Sequence, residues 1–201
     1  LTSKSECTQF VRESKPDFVL NAAAYTAVDK AESEEDLAFR INAIVPKNFA
    51  ELSNELGFKL LHVSTDFVFN GNQNTPYKTN QKRSPLGVYG YTKACGEEFI
   101  ENIIGNSNNG IIIRTSWLMG PVGKNFALTI LKLLSERDEL KIVCDQIGGP
   151  TTTPTLAEYC WQVINYNYKG GKTPQILHYS NSGIASWYDI AETIQEIGLD
   201  L

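Results

Sequence analysis

Short apolar segments alternate with helix-like segments along the whole chain, and this alternation constrains the fold more than any other feature. The apolar segments lie at residues 18–20, 59–63, 111–113, 140–143 and 175–179. A strand that is buried on both faces of a parallel sheet is a continuous apolar run, and consecutive parallel strands are joined by helical crossovers. The sequence therefore predicts an α/β fold, in which a parallel sheet carries helices on both faces.

The segments between these strands carry helix patterns, with two exceptions. Helices are predicted at residues 6–14, 34–40, 43–56, 92–101, 125–136, 155–166 and 187–196. The exceptions are residues 66–84, a polar loop rich in Asn, Gln, Thr, Gly and Pro, and residues 145–151, a turn-rich segment with a glycine pair. A loop as long as the first is more often a binding surface or a lid than an idle connection. Both segments are therefore expected to border a ligand.

Tyr89 and Lys93 lie where a glycine-rich turn opens into a predicted helix. They are four positions apart, so their side chains share one face of that helix. A neighbouring ammonium favours a phenolate, and we expect Lys93 to lower the pKa of Tyr89 from about 10 toward neutral pH. Such a phenol can donate a proton to a carbonyl group that is being reduced. The spacing Tyr-x-x-x-Lys also occurs by chance on ordinary helix surfaces, so the pair needs a partner from elsewhere in the chain.

Thr65 is the candidate for that partner. It follows the predicted strand at residues 59–63, within the polar sequence Ser64-Thr65-Asp66. In open α/β sheets, the ligand crevice lies outside the carboxyl ends of the strands. We therefore expect the Thr65 hydroxyl to face the same reacting oxygen as Tyr89, as a second hydrogen-bond donor.

Two further segments at predicted strand ends are candidates for ligand contact. Residues 21–30 are rich in small side chains, which permit a flat or phosphorylated ligand to approach the backbone, but the same alanines also suit a helix. Trp117 follows the strand at residues 111–113, and its ring would either stack on a substrate ring or pack in the core. The sequence leaves both choices open.

The overall composition excludes several classes of protein. Of the 201 residues, 42% are hydrophobic and 20% are charged, which is typical of a globular chain. The net charge is −5 and the basic residues are scattered, so no nucleic-acid-binding surface is expected. No apolar run is long enough to cross a membrane, and the start of the sequence has no secretory signal. We therefore expect no membrane association and a cytoplasmic location.

Neither a metal site nor a disulfide is expected. The two histidines, His62 and His178, are isolated from each other, and the four cysteines show no Cys-x-x-Cys spacing. We interpret the cysteines as small buried residues with reduced thiols.

Five motifs together resemble those of the dTDP-4-dehydrorhamnose reductases, a branch of the extended short-chain dehydrogenases/reductases. The motifs are residues 21–32 (NAAAYTAVDKAE), 64–71 (STDFVFNG), 89–93 (YGYTK), 114–117 (RTSW) and 145–151 (DQIGGPT). The resemblance covers nearly the whole chain. Tyr-x-x-x-Lys indicates only the superfamily, whereas the first two motifs are specific to this branch. The resemblance implies a Rossmann-like fold and an NADPH- or NADH-dependent step in the biosynthesis of dTDP-rhamnose for bacterial surface polysaccharide.

The resemblance also implies roles for individual residues. Tyr89 would donate the proton, Lys93 would lower its pKa and hold the nicotinamide ribose, and Thr65 would complete the catalytic triad. The positions that contact the dinucleotide cofactor match at Ala24, Tyr25 and Thr26, as well as at Tyr89 and Lys93. The positions that contact the dTDP-sugar match at Thr65, Asp66, Trp117 and Val28. The implied reaction is hydride transfer to C4 of dTDP-4-dehydro-L-rhamnose, which yields dTDP-L-rhamnose.

One departure from the family is large. Its members begin with a strand, a glycine-rich turn and a helix that hold the cofactor pyrophosphate, and this sequence contains no such motif. We therefore expect the chain to be an internal part of a reductase and to be inactive by itself. Residues 1–144 are expected to form a truncated dinucleotide-binding domain, and residues 145–201 part of a substrate-binding region.

The resemblance leaves several questions open. The non-catalytic regulatory subunit of methionine adenosyltransferase resembles the same branch, and a reductase or epimerase of another nucleotide sugar would share the motifs as well. The choice between NADPH and NADH is undetermined, because the residue that contacts the ribose 2′ position would lie upstream. Some relatives form a magnesium-dependent homodimer, but no Mg²⁺ ligands are identifiable in this sequence, and a homodimer remains one alternative.

Overall fold

The structure, a computed structural model, describes residues 1, 3–105 and 107–199 and confirms the alternation of helices and strands. The helices are α1 (Lys4–Ser14), α2 (Val28–Ala31), α3 (Glu35–Phe39), α4 (Val45–Leu56), α5 (Val88–Ile104), α6 (Phe126–Glu136), α7 (Thr153–Tyr168) and α8 (Trp187–Leu199). The strands are β1 (Phe18–Asn21), β2 (Lys59–Thr65), β3 (Gly110–Thr115), β4 (Leu118–Met119), β5 (Ile147–Gly148), β6 (Thr151–Thr152), β7 (Ile176–His178) and β8 (Ala185–Ser186). A π-helical turn (Arg40–Ile44) joins α3 to α4, and a 3₁₀ turn (Asp66–Val68) follows β2.

The chain forms two compact units. The first comprises the described residues within 1–114 and 162–178, and the second those within 115–161 and 179–199. These units do not follow the boundary expected at residue 145, because residues 115–144 belong to the second unit and residues 162–178 to the first. The cofactor and substrate roles expected on either side of residue 145 stay a prediction.

A four-stranded sheet in the order β1-β2-β3-β7 forms the centre of the first unit. β1 pairs in parallel with β2, with Val19 opposite Leu60, and β3 pairs in parallel with β7, with Ile113 opposite Leu177. Leu60 and Ile113 are fully buried, as expected for apolar strands inside a parallel sheet. The parallel pairing of β1 with β2 brings their carboxyl ends to one edge of the sheet.

The helices predicted at residues 34–40 and 43–56 are confirmed, but the π-helical turn joins them into one continuous helical run. Pro46 is the second residue of α4 and directly follows the π-helical turn, so its missing N–H removes one hydrogen bond inside the continuous helical run. Gly57 ends α4 with φ of 84°, a left-handed conformation that glycine adopts without strain. Phe49 and Leu52 of α4 lie in the buried cluster that packs around the sheet.

The second unit is built from α6, α8 and two pairs of short strands, β4 with β6 and β5 with β8. The prediction of a strand at residues 140–143 is wrong. This segment has no regular structure, and Val143 is half exposed, so its apolar side chains are not buried deeply enough to form a sheet core. The backbone oxygen of Val143 accepts a hydrogen bond from the N–H of Tyr188 instead of from a neighbouring strand.

Helix α5 lies close to the π-helical turn, and Gly96 permits this approach. A Cβ atom at Gly96 would lie 2.2 Å from the backbone oxygen of Asn42. The Asn42 side chain donates hydrogen bonds to Thr92 on α5 and to the backbone oxygen of Tyr25, both at 3.1 Å, and accepts one from the Tyr25 N–H at 2.8 Å. The loop after β1 is therefore held to α5 through one buried amide.

A buried ion network holds α5 to the ends of β2 and β3. Glu97 on α5 has no exposed surface, and it accepts hydrogen bonds from Arg114 (2.7 Å from Nη2), Arg83 and Ser64. Burial alone would raise the pKa of Glu97, but the hydrogen bonds and charge of Arg114, followed by Arg83 and Ser64, hold that pKa below its usual value. The network thereby fixes the residue that precedes Thr65.

Gly96→Ala is expected to destabilise the protein, although alanine favours a helix over glycine by about 1 kcal/mol. The added methyl group would clash with the backbone oxygen of Asn42, and overpacking of this kind costs about 1–3 kcal/mol. Urea unfolding followed by circular dichroism measures the loss. Gly198→Ala is the control, because its Cβ atom would lie 3.6 Å from Leu131, an ordinary contact. Unchanged or increased stability of Gly96→Ala would contradict the close packing.

Glu97→Gln is expected to lower the free energy of unfolding by about 3–5 kcal/mol at neutral pH, because it leaves the buried Arg114 without its carboxylate. The folded-state pKa of Glu97 lies below its unfolded value. The carboxylate therefore stabilises the protein above about pH 4.3, and this stabilisation is lost as the pH falls through the folded-state pKa.

The stability difference between wild type and Glu97→Gln should therefore narrow when urea unfolding is repeated at about pH 3. Glu101→Gln is the control, since Glu101 is partly exposed and its ion pair with Arg83 contributes about 1 kcal/mol or less. A difference that stays the same from neutral to acid pH would contradict the role of the Glu97 charge.

Candidate active site

Thr65 ends β2 at the carboxyl edge of the sheet, where the sequence predicted it. Its hydroxyl accepts a hydrogen bond from the N–H of Phe67 at 3.2 Å and donates one to Asp66 Oδ1 at 3.1 Å. The first of these bonds caps the 3₁₀ turn, and the side chain is buried. The position of the hydroxyl is therefore set by the backbone that follows the strand.

Tyr89 lies at the start of α5 and reaches Thr65. The next residue, Gly90, lets the helix approach the 3₁₀ turn, because a Cβ atom there would lie 2.2 Å from the backbone oxygen of Phe67. The Tyr89 ring contacts the Phe67 ring edge to face, with 5.5 Å between the ring centroids. The Thr65 hydroxyl lies close enough to the Tyr89 phenol to act on the pKa of that phenol. The structure thus brings together two of the three predicted catalytic groups at one point.

The expectation that Lys93 lowers the pKa of Tyr89 is wrong in this structure. The pKa of Tyr89 is raised, mainly because burial penalises the phenolate; the nearby Thr65 hydroxyl lowers this pKa and the charge of Asp66 raises it. The Lys93 ammonium is directed elsewhere, since its Nζ donates to the backbone oxygen of Val63 at 2.7 Å. Tyr89 is consequently a neutral phenol at neutral pH.

Lys93 is almost completely buried, one helical turn after Tyr89. Burial lowers the pKa of Lys93 to about 8, against the opposing influence of the Glu97 carboxylate. Its Nζ also lies 3.2 Å from Nε2 of His62. Lys93 is therefore still largely charged at neutral pH, but it loses its proton at a much lower pH than an exposed lysine.

Ala24, Tyr25 and Thr26 lie in the loop that follows β1, so the loop interpretation is confirmed for residues 22–27, whereas the last residues of the segment belong to helix α2 (Val28–Ala31). The Tyr25 backbone is bonded to Asn42, and the Tyr25 phenol donates to Glu34 at 2.7 Å, which raises the pKa of Tyr25. The loop leaves the same sheet edge as Thr65. Its small side chains fit the approach of a flat, phosphorylated ligand, although contact with a cofactor stays a prediction.

The candidates for sugar contact are distributed over both units. Asp66 is half-buried directly after Thr65, and burial raises the pKa of its carboxyl group. Val28 begins α2, whose C-terminal neighbour Glu32 accepts a hydrogen bond from the backbone N–H of Val88 at the start of α5, at 2.8 Å. Asp66 and Val28 belong to the first unit, as Tyr89 does.

Trp117 belongs to the second unit. Its ring stacks on Trp187, with 3.7 Å between the ring centroids, so one face of the indole is covered within that unit. Its backbone has φ of 47°, which is unusual for a bulky residue. Contact of Trp117 with a substrate stays a prediction.

Several polar residues of the site were not predicted from the sequence. Asn21, Asn42, His62 and Glu97 are buried, and each is hydrogen-bonded to the catalytic groups or to the elements that carry them. The signal that would have revealed them is a polar residue inside an apolar strand or on the buried face of a helix, because such a residue must have a partner.

Within residues 1, 3–105 and 107–199, no group of three or more His, Cys, Asp or Glu side chains could hold a metal ion. In that same part of the chain, no helix is both long and apolar enough to cross a bilayer.

All four cysteines are free, but only Cys160 is buried and Cys144 is exposed. The interpretation of the cysteines as buried small residues is therefore wrong for Cys144.

Comparison with known proteins places these features in a family. The RmlD substrate binding domain family matches residues 1–198. The spore coat polysaccharide biosynthesis protein SpsK of Bacillus subtilis is 43% identical over 182 residues, which are 90% of this chain and 61% of that protein. The dTDP-4-dehydrorhamnose reductase of Escherichia coli is 40% identical over 186 residues, which are 92% of this chain and 61% of that protein.

The structural comparison agrees. The crystal structure of dTDP-4-dehydrorhamnose reductase from Bacillus anthracis in complex with NADP has a TM-score of 0.91 and 37% identity to this chain, and the match covers 98% of this chain and 68% of that one. This chain spans about 61% of the length of the curated relatives described above. Because the family match extends from residue 1 to residue 198, the chain belongs to the RmlD substrate binding domain family.

Proposed function

We propose that this chain carries the catalytic groups of a reductase that uses NADPH or NADH to convert dTDP-4-dehydro-L-rhamnose to dTDP-L-rhamnose. The observation that carries the proposal is the proximity of the Tyr89 phenol to the Thr65 hydroxyl, at the carboxyl edge of the parallel sheet. The names of the Escherichia coli relative and of the NADP-bound Bacillus anthracis structure support this reaction.

Tyr89 is the proton donor in this proposal. Its raised pKa keeps the phenol protonated at neutral pH, so that it holds a proton for the oxygen of the C4 carbonyl. Thr65 would donate a hydrogen bond to the same oxygen by rotating its single O–H from Asp66 Oδ1 toward the substrate. These two hydroxyls stabilise the negative charge that develops on the oxygen.

Lys93 supplies positive charge after the proton has left Tyr89. A phenolate is costly in a buried site, and an ammonium on the same face of α5 offsets part of that cost. Lys93 carries this charge only below its pKa of about 8. Stabilisation of the phenolate by a charge is equivalent to a lower pKa of the phenol, and burial outweighs any such influence on Tyr89.

The remaining predicted residues fit the binding of the two ligands. When bound, the nicotinamide cofactor supplies the hydride. The loop with Ala24, Tyr25 and Thr26, together with Lys93, would hold the cofactor. Contacts with the dTDP-sugar are assigned to Thr65, Asp66, Val28 and Trp117. The homodimer and the cytoplasmic location stay predictions.

Tyr89→Phe is expected to lower kcat by about 10²–10⁴-fold with little change in KM, because the variant keeps the ring but lacks the transferable proton. The measurement is oxidation of NADPH by the full-length gene product in the presence of dTDP-4-dehydro-L-rhamnose. Tyr91→Phe is the matched control, since Tyr91 is an exposed tyrosine on the same helix. A fully active Tyr89→Phe variant would exclude Tyr89 as the donor.

Thr65→Val is expected to lower kcat by about 10²–10³-fold in the same assay, because it removes one donor to the developing charge and keeps the shape of the side chain. Thr65→Ser keeps the hydroxyl that also accepts from Phe67, so most activity should return. If kcat of Thr65→Ser is as low as that of Thr65→Val, the Thr65 hydroxyl does not contribute to catalysis as proposed.

The same assay separates the alternatives. Dinucleotide binding without turnover of any nucleotide sugar would indicate a non-catalytic relative of the methionine adenosyltransferase regulatory subunit type. If the protein turns over a different nucleotide sugar but not dTDP-4-dehydro-L-rhamnose, the proposed reaction type stands and the proposed substrate is wrong.

A further inference from the structure

The segment at residues 145–151 takes no part in the proton transfer described above, but it lies against Ser116 and Trp117. The backbone N–H of Thr151 donates to the backbone oxygen of Trp117 at 3.2 Å. The Ser116 hydroxyl donates to the backbone oxygen of Gly149 at 2.6 Å. All four residues lie in the second unit. Two successive residues after β3 are therefore bonded to this one segment.

The Trp117 ring is held by the same segment and by Trp187. The two indole rings stack with 3.7 Å between their centroids and an angle of 10° between their planes. Gly148 leaves room for the Trp117 ring, because a Cβ atom there would lie 2.5 Å from its Cε2 atom. Trp187 is fixed in turn, since its Nε1 donates to Oε1 of Gln146 at 3.2 Å. The segment therefore holds the indole as well as the backbone of Trp117.

The backbone conformation of Trp117 requires such support. Its φ of 47° lies in the left-handed region, which bulky side chains rarely adopt. A conformation of this kind costs free energy and persists only where the surrounding contacts enforce it, and it occurs preferentially at ligand-binding sites. Trp117 is only half-buried, so part of its indole stays accessible to a ligand. Both observations favour a binding role over simple core packing.

We propose that the segment at residues 145–151 and Trp187 position Trp117 as a preformed aromatic contact for the dTDP-sugar. The contact with the sugar nucleotide rests on the function proposed above, whereas the positioning of the indole does not. A ring that is already held in place loses little conformational freedom when a ligand binds. The arrangement therefore contributes to substrate affinity and leaves the chemical step to Tyr89 and Thr65.

Two variants of Trp187 separate stacking on Trp117 from the filling of apolar space. Leu fills space but has no flat ring, whereas Phe keeps a flat ring. In the full-length gene product, Trp187→Leu should raise KM for dTDP-4-dehydro-L-rhamnose about 10-fold with kcat unchanged, because an aromatic contact adds affinity without favouring the transition state. Trp187→Phe should keep a KM close to that of the wild type. Equal KM values for the two variants would overturn the proposal.

Gly148→Ala tests the segment itself. The added methyl group would occupy the position of the Trp117 ring and displace it, so KM should rise by a similar factor, again with kcat unchanged. Gly198→Ala is the control, because its Cβ atom makes only an ordinary contact, 3.6 Å from Leu131, in the same unit. A wild-type KM in Gly148→Ala would overturn the proposal.

NMR of the same protein provides a test that does not depend on turnover. In the wild type, nuclear Overhauser effects should connect the ring protons of Trp117 and Trp187, and their absence would overturn the proposal. In Gly148→Ala, the indole N–H signal of Trp117 should move, while that of Trp161, an exposed residue on α7, stays in place. If the protein reduces no nucleotide sugar while both NMR results are as expected, the proposed function fails and the positioning of Trp117 stands.

Discussion

The site depends on how closely one helix, α5, packs along the end of one strand, β2. Tyr89, Lys93 and Glu97 follow one another at intervals of four along one face of α5, and each has its partner on β2 or directly beside it. Tyr89 lies beside Thr65, Lys93 bonds His62 and the Val63 oxygen, and Glu97 accepts from Ser64. This register holds only because Gly90 and Gly96 place no Cβ atom between the helix and the backbone it touches.

A buried helix face with a phenol, an ammonium and a carboxylate is costly unless every charge has partners. Glu97 meets this condition with the guanidinium of Arg114, and its pKa stays low despite complete burial. Lys93 meets it less fully, because its nearest partners are a neutral imidazole and a carbonyl oxygen, and its pKa falls to about 8. The same face therefore holds one ion that is stable over a wide pH range and one that titrates just above neutrality.

The sequence predicted the parts of this arrangement that local pattern determines. The apolar run of β2 placed Thr65 at a strand end, and the turn before residue 88 placed Tyr89 at a helix start. The sequence did not predict the burial of Glu97, because a Glu in a helix is normally exposed and local pattern does not pair it with Arg114 on the next strand. The pKa shift of Tyr89 was predicted in the wrong direction for a related reason. The spacing shows that Lys93 is near Tyr89, but it shows neither the direction of the Lys93 ammonium nor how deeply the Tyr89 phenol is buried. The strand prediction for residues 140–143 failed because a short apolar run becomes a strand only where a neighbouring strand can pair with it.

The raised pKa of Tyr89 is consistent with a donor rather than a base. In a reduction, the oxygen gains its negative charge as the hydride arrives, so the group beside it must already hold a proton at working pH. A phenol acidified by an adjacent ammonium would be partly ionised before the reaction and would repel the developing charge. Burial keeps the Tyr89 phenol neutral, while Lys93, one helical turn away, is still charged near neutrality.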